Sequence, residues 1–547
     1  MATVIAWIGL KKRLEKYLIK RKRSSLEYVV LATLGFVVAA TLKYPDRAFL
    51  TTQRPDLKAS KKAVRGYPLI GNLPTVINQR HDHLSYAYNY TAKHGDVIAI
   101  TLPFFGQIII INRPELMEHI LKTNFDNYVK GNIFRWLLSD VLGNGIFVTD
   151  GDEWRLHRKT ASNIFTTKLY RSLVEGAFRT SAHDLCQVIE TQCCLSSEAS
   201  ESPKEVIPID LQANFFKLTL DAFAKLTFGI DFKSLTSSGP NEFAEAFDYL
   251  TAAADARLAN PLWFITEKFP GNRRRHQGAI ATLDKYAFLA ISSRHSETPE
   301  QKSSRPQDLL DYFINHKRDD GTTLTDRDLR DVFVNFMVAG RDTTAVALTW
   351  QFYSLMANPR IMKNIVQEID TVLKGSEDAI KYEVLMNEMP YTKAVFHETL
   401  RLHPPVPKNF KQAVADDVLP DGTRVKKGDL IGYSNWCLGR NKSVWGVDAG
   451  LFVPERWLVP DEQGGSPFGK FKPENPYKFI TFNAGPRLCL GQTFAILEAM
   501  ATTCILLQRF HFQLVPNHPT PQVKGSVTLP MKDPLMTIVT KRQNIVL

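Results

Sequence analysis

Apolar and polar positions alternate most clearly in "DVIAITL" and "GQIIIIN", Asp96 to Asn112, separated by "PFF". Period-two runs of β-branched residues with a short break predict a hairpin. "NRPELMEHIL" follows and predicts a helix capped by Asn112. Helical spacing dominates from there. It is broken at Leu195–Glu205 and Ser296–Gln307, where Ser, Glu and Pro cluster and surface loops are expected. The longest helical pattern opens at "LTDRDLRD", with Thr325 and Asp328 at capping-box spacing, and runs to Ala357, where Asn358 and Pro359 stop it. That is about 33 residues, or about 50 Å, enough to cross a whole domain. Its flanks "FVNFMVAG" and "AVALTW" are apolar nearly all round, which predicts burial. "AGRDTT", Ala339 to Thr344, interrupts them with a glycine that costs about 1 kcal/mol in a helix interior. A fault of that kind predicts a groove or kink lined by buried polar groups in need of partners. Short strands are expected near the carboxyl end, in "FQLVPNH", "VKGSVTLPM" and "LMTIVTKR". The pattern is mainly α with small β-sheets, an α+β chain.

Composition changes this picture at the amino terminus. The chain of 547 residues carries a formal net charge of +12, with a basic stretch at Leu10–Arg23 within a segment 1–25. That stretch either lies along lipid headgroups or forms a solvated arm. Leu26–Leu42 is almost wholly apolar apart from Glu27, and about 17 residues is the lower limit for a spanning helix. Ending in "KYPDR", it lacks a small-residue cleavage site, so 26–44 is expected to be a retained transmembrane anchor. Basic residues flank it on both sides, so charge gives no orientation. A Pro/Gly linker is expected over 45–74 and the globular body over 75–547. The basic excess comes with no nucleic-acid reading motif, and there is no internal repeat. Cys186, Cys193, Cys194, Cys437, Cys489 and Cys504 form no CxxC pair and no disulfide framework. Reduced thiols suit a cytosol-facing body.

One cysteine stands apart. "FNAGPRLCLG", Phe482 to Gly491, sets Cys489 between glycines, with Arg487 beside it and an apolar run after it. A structural thiol needs none of this, whereas a thiolate facing a flat group uses both the open backbone and the cation. "HETLRLHPPVP" places Glu398 and Arg401 on one helical face. Taken alone they read as a solvated surface pair.

Together these stretches resemble the cytochrome P-450 family of haem-thiolate monooxygenases. The loop fits Phe-x-x-Gly-x-Arg-x-Cys-x-Gly. "AGRDTT" resembles the oxygen-activating segment, "ETLR" the Glu-x-x-Arg, "PERW" the Pro-Glu-Arg element, and "WRLHR" (Trp154–Arg158) the Trp-x-x-x-Arg that contacts haem propionates. The resemblance runs from Arg65 onward, in the family's order. It implies the family's fold, with a long central helix over haem b held by the Cys489 thiolate, which also pushes electron density toward iron. By the same resemblance Arg487, Arg158, Trp154 and Lys411 serve the propionates. Phe482, Gly485 and Gly491 form the loop against the porphyrin, and the helix after it favours the thiolate. Ala339 and Gly340 lie over the haem, with Gly340 opening the helix for dioxygen. Thr343 and Asp342 handle oxygen and protons. Glu398, Arg401 and Arg456 form a structural network. Ala339 stands where some relatives carry a glutamate that esterifies haem, which argues against covalent attachment.

"LTFGIDF", "VLPDGTRVKKGDLIGYS" and "GRNKSVWGVDAGLFVPERW" resemble the fatty-acid and alkane ω-hydroxylase branch of plants and fungi. Asn132–Phe147 falls where the pocket is usually capped, or is ordinary core. Sterols, terpenoids and aromatics suit an apolar pocket as well, and a haem-binding protein without oxygen activation stays open. No flavin or nicotinamide fingerprint is present, so electrons are expected from a separate NADPH-dependent reductase, met by basic residues such as Arg155, Lys159 and Lys168. The expected location is the endoplasmic reticulum membrane, single-pass, with the catalytic domain facing the cytosol.

Overall fold

The computed structural model describes residues 25–542 apart from 80–81, 199–206, 238, 259, 261, 319 and 463–465. The basic stretch Leu10–Arg23 and most of the loop expected at Leu195–Glu205 lie outside the described residues. The chain opens with helix α1, Ser25–Lys43. Among the described residues no helix is long and apolar enough to cross a membrane. In α1, Glu27 and Lys43 leave an uncharged stretch of about 22 Å, against a hydrocarbon core of about 30 Å. The spanning anchor expected over 26–44 is therefore not shown among the described residues. Instead α1 leaves Tyr28, Val29, Val30, Leu34, Phe36, Val37, Val38 and Leu42 exposed.

The expected linker is not free either. Val64 N–H donates to Ala99 O at 2.8 Å and Asn72 N–H to Thr101 O at 2.8 Å, so the segment is pinned along the first strand. That strand, β1 (Val97–Leu102), pairs antiparallel with β2 (Gly106–Ile111), which is the expected hairpin. Asn112 does not cap the next helix. Pro114 fixes its first turn, Arg113 holds the extended cap position, and Asn112 O instead accepts from Asn441 Nδ2 at 3.0 Å. β3 (Tyr128–Val129) and helix α2 (Gly131–Leu142) follow, then α3 (Gly151–Ser162).

The middle of the chain is helical. After the short strand β4 (Ile209–Asp210) come α4 (Leu211–Phe228), α5 (Glu242–Ala256) and α6 (Pro270–His295). The long helix is present as α7 (Asp326–Met337), a π-helical turn (Val338–Asp342) and α8 (Thr343–Ala357). Its start is the expected capping box: Thr325 Oγ1 accepts from Asp328 N–H at 3.2 Å, while Asp328 Oδ2 accepts from Thr325 N–H at 2.9 Å. The kink expected at "AGRDTT" is this π turn, one residue more than an α-turn accommodates. Then come α9 (Pro390–Leu402), β5 (Asn409–Ala413), β6 (Leu430–Tyr433), α10 (Gln492–Arg509), β7 (Phe510–Leu514) and β8 (Met536–Lys541).

A five-stranded sheet runs β1-β2-β6-β5-β3, with β2 and β6 parallel, a three-stranded sheet runs β7-β8-β4, and two small two-stranded sheets pair Leu458–Val459 with Lys470–Phe471 and Asp417–Val418 with Arg424–Val425. "VKGSVTLPM" forms no strand beyond a single bridge between Val523 and Met531. The main core gathers around α4, α7, α8, α9 and α10, and a second cluster lies between the five-stranded sheet and Leu116–Leu121. The site occupies the seam between these helices and the sheet.

Candidate functional site

The cysteine loop is built by its backbone. Gly485 has φ +64°, and a Cβ there would sit 2.0 Å from Leu121 O, so the loop lies directly on the preceding turn. Cys489 N–H donates to Phe482 O at 2.8 Å and closes the loop. Gly491 stands at the N-cap of α10, with its amide directed at the Cys489 sulfur. Cys186, Cys437 and Cys504 are buried, whereas Cys489 is exposed to solvent even though protein surrounds it on most sides. A side chain both accessible and enclosed lines a slot. Enclosure pushes the Cys489 thiol up, and the Gly491 amide and Arg158 only partly oppose this. The expectation that the helix end favours the thiolate agrees in direction with the Gly491 amide, which draws the thiol down against the larger effect of enclosure.

Beside the loop lies a buried group of cations. Lys411 on β5 is fully buried, and its Nζ has no hydrogen-bond partner among the described residues. Burial and the Arg487 charge push it down to about 7. Lys130, at the start of α2, is also buried and held well below the ordinary lysine value, with its Nζ 3.0 Å from Asn409 Oδ1. Arg487 Nη2 donates to Thr149 O at 2.8 Å and Asp150 Oδ1 at 2.7 Å, but its Nε has no partner among the described residues. Arg158 Nη1 donates to Leu488 O at 2.7 Å. The Tyr433 hydroxyl, buried against Arg487, is unpartnered among the described residues too. Asp150 is the one carboxylate of this group. Unpaired buried cations cost several kcal/mol each, so the cluster fits a ligand bringing carboxylates of its own, as the two haem propionates do. Trp154 on α3 packs into the same group, with the Arg487 guanidinium over its ring at 4.5 Å. Sequence reading missed Lys130, whose only signal was a lone lysine in "YVKGN", between a strand and an apolar helix.

The opposite wall is the long helix. From Leu329 to Phe352 every position is buried except Ala339 and Thr343. They lie four residues apart on one face, so open space meets the helix there. The Thr343 hydroxyl donates to Ala339 O at 2.5 Å. Gly340 does not face this space: a Cβ there would lie 2.1 Å from the Phe223 ring, so its missing side chain admits α4. The expectation that Gly340 clears room for dioxygen is corrected accordingly. Asp342 is buried and accepts from Arg341 Nη1 at 2.8 Å, and Arg341 Nη1 also reaches Asp248 Oδ1 at 2.7 Å. Burial pushes Asp342 up to about 6, against the pull of Arg341. Asp248 is 47% exposed, so the chain Asp342–Arg341–Asp248 runs from the interior to water.

Glu398 and Arg401 are not a solvated pair. Both are fully buried and meet in two hydrogen bonds of 2.7 Å. Glu398 also accepts from Trp457 Nε1 at 3.0 Å and Val453 N–H at 2.8 Å, with Arg456 Nε 3.4 Å away. Arg401 donates to Ala449 O and Leu451 O, which ties α9 to the chain leading into the cysteine loop.

Comparison with known proteins agrees with this geometry. Residues 63–538 match the family Cytochrome P450. The chain is 37% identical to cytochrome P450 monooxygenase cyp1 of Mycosarcoma maydis, over 95% of this chain and 81% of that one. It is 32% identical to cytochrome P450 704B1 of Arabidopsis thaliana, over 88% and 95%. With cytochrome P450 94A1 of Vicia sativa it shares 34% identity over 85% and 87%. The chain belongs to the cytochrome P450 family, whose members are haem-thiolate oxidoreductases that bind haem b through a cysteine thiolate.

Proposed function

We propose that this monooxygenase hydroxylates a long-chain fatty acid or alkane at or near its terminus. Its electrons come from NADPH through a separate flavoprotein reductase, and its body faces the cytosol from the endoplasmic reticulum membrane, to which α1 attaches it. The observation that carries the chemistry is Cys489, accessible on one wall of a slot whose other wall opens only at Ala339 and Thr343. When bound there, haem b supplies dioxygen activation and insertion of one oxygen atom into substrate. The residues do the rest. Cys489 ligates through sulfur, with the Gly491 amide and Arg158 stabilising its charge. Lys411, Lys130, Arg487 and Arg158 hold the propionates and fix the plane of the group. Thr343 Oγ1 moves a proton at the open face. Asp342, held by Arg341 beside exposed Asp248, is the carboxyl that replaces it.

The apolar substrate class rests on the resemblance of "LTFGIDF" and "GRNKSVWGVDAGLFVPERW" to ω-hydroxylases, and on the aromatic packing of α2. Phe134 meets Phe410 at 5.2 Å, and Trp136 meets Trp263 at 4.9 Å. Lys159 and Lys168 are exposed for an acidic reductase, whereas Arg155 already meets Asp152 at 2.8 Å. Purified holoprotein with reductase and NADPH is tested on fatty acids, alkanes, sterols and aromatics, with product positions determined. Terminal hydroxylation of lauric or oleic acid is expected. A thiolate-type carbon monoxide spectrum without turnover of any lipid sinks the substrate reading. Cys489→Ala is expected to lose that spectrum, and its persistence removes Cys489 as ligand. Attachment through α1 predicts that the chain stays with the membrane through a carbonate wash.

A further inference from the structure

Helix α2 has no residue of its own to cap it. Its N-cap position is Lys130, which carries no side-chain oxygen, and Gly131 follows with φ +73°. The first amides are met from elsewhere in the chain. Lys130 N–H donates to Asp150 Oδ1 at 2.8 Å and Gly131 N–H to Asp150 Oδ2 at 3.0 Å, while Asn132 N–H donates to Gln412 Oε1 at 3.1 Å. Gln412 is on β5, next to Lys411. A carboxylate at this end also suits the helix dipole.

Asp150 is diverted to this task. It stands at the N-cap of α3, where an aspartate ordinarily accepts from its own helix, yet its side chain makes no hydrogen bond to α3. Instead both oxygens meet α2, and Oδ1 also accepts from Arg487 Nη2 at 2.7 Å. Arg487 is 8% and Asp150 22% exposed, so solvent screens this pair less than a surface one. One carboxylate thus joins the start of α2, the start of α3 and the cysteine loop. Arg487 Nη2 is held by Asp150 and Thr149 O, which leaves Nε, unpartnered among the described residues, for a propionate. The far end of α2 is fixed differently. There Asn335 Nδ2 of α7 donates to Leu142 O at 2.7 Å, and Asp331 Oδ2 accepts from Asn144 N–H at 2.8 Å. That end is tied to the long helix, and the starting end to the cations.

We infer that Asp150 is a positioning residue that couples the placement of the Arg487 guanidinium to the order of α2, so that haem retention and the segment beside the substrate are energetically linked. The link is reciprocal: what shifts Arg487 loosens the first turn of α2, and what loosens that turn frees Arg487. Its bearing on substrate rests on the reading that α2 bounds the substrate space. Charge alone predicts the opposite sign for haem. Removing a carboxylate that competes for Arg487 would strengthen the pull on a propionate, whereas removing a positioning residue weakens it.

The test uses the full-length holoprotein and its Asp150→Ala variant, with two readouts that need no turnover. In hydrogen–deuterium exchange, peptides covering 130–136 are expected to exchange at least about tenfold faster in the variant, and those covering 139–147 less than about twofold faster. In haem transfer to excess apomyoglobin, the variant is expected to release haem at least about fivefold faster. Faster exchange with equal or slower haem release makes Asp150 a cap for α2 alone and overturns the inference, as does unchanged exchange over 130–136. Asp150→Asn keeps one acceptor oxygen and the side-chain shape. It is expected to show both changes at smaller size, and it carries the test where Asp150→Ala does not fold. The dissociation constant for lauric acid, read from the haem absorbance shift, is expected to rise with them. An unchanged constant beside the other two changes removes α2 as a wall of the substrate space and leaves the coupling standing.

Discussion

Two glycines in the site motifs do different things. Gly485 holds a left-handed backbone on top of Leu121 O, and Gly340 lets α4 approach the π turn. Gly485→Ala meets both a forbidden φ and a backbone clash, and is expected to lower stability by about 2 kcal/mol or more, read as a fall in thermal midpoint with partial loss of haem. Asp342 gives a prediction in pH. Burial raises it from 3.8 to about 6, so the folded chain keeps the proton longer than the unfolded one. Its stabilising contribution is therefore complete below about pH 4 and is lost as pH rises through about 6. As a relay its ionised form is needed, so NADPH-driven turnover is expected to fall on acidification below about pH 6. Asp342→Asn is expected to lose on the order of 100-fold in kcat and that acidic limb as well. A variant with wild-type turnover and an unchanged profile refutes the relay.

Among the elements, α9 shows how far a short motif can mislead. Glu398 and Arg401 at three-residue spacing are indistinguishable in sequence from a surface pair. Their burial depends on Trp457, Ala449 and Leu451, some 50 or more residues downstream. Removing one partner strands the other charge: Glu398→Ala is expected to cost about 3–5 kcal/mol, seen as poor folding and little haem incorporation. A soluble variant of native thermal midpoint contradicts this. Local signals were legible. The Thr325–Asp328 box, the β1–β2 hairpin and the break at "AGRDTT" are each encoded within a few residues. Asn112 was misread because Pro114, two positions on, had already set the helix start.

For the molecule as a whole, order along the chain carried the family, and long-range contact carried the site. Cys489, Thr343, Arg487 and Lys411 were visible as residue types placed by resemblance to the family's motifs. Lys130 and Arg341 were not, since each is defined by a partner from another element: Asn409 and Asp248. The π turn was legible as a fault, but its geometry was not, because which face it turns outward depends on Phe223 packing behind it.

A helix sealed from Leu329 to Phe352 except at two small side chains is a wall with a single pane. Whatever lies across that pane decides whether reagents reach the helix at all, which makes the position a reporter of occupancy. A thiol introduced by Ala339→Cys is expected to react with a maleimide when the slot is empty and to be shielded when haem fills it. The extent of labelling then counts loaded molecules without any turnover being measured. Equal labelling of haem-loaded and haem-free protein places the pane on some other opening.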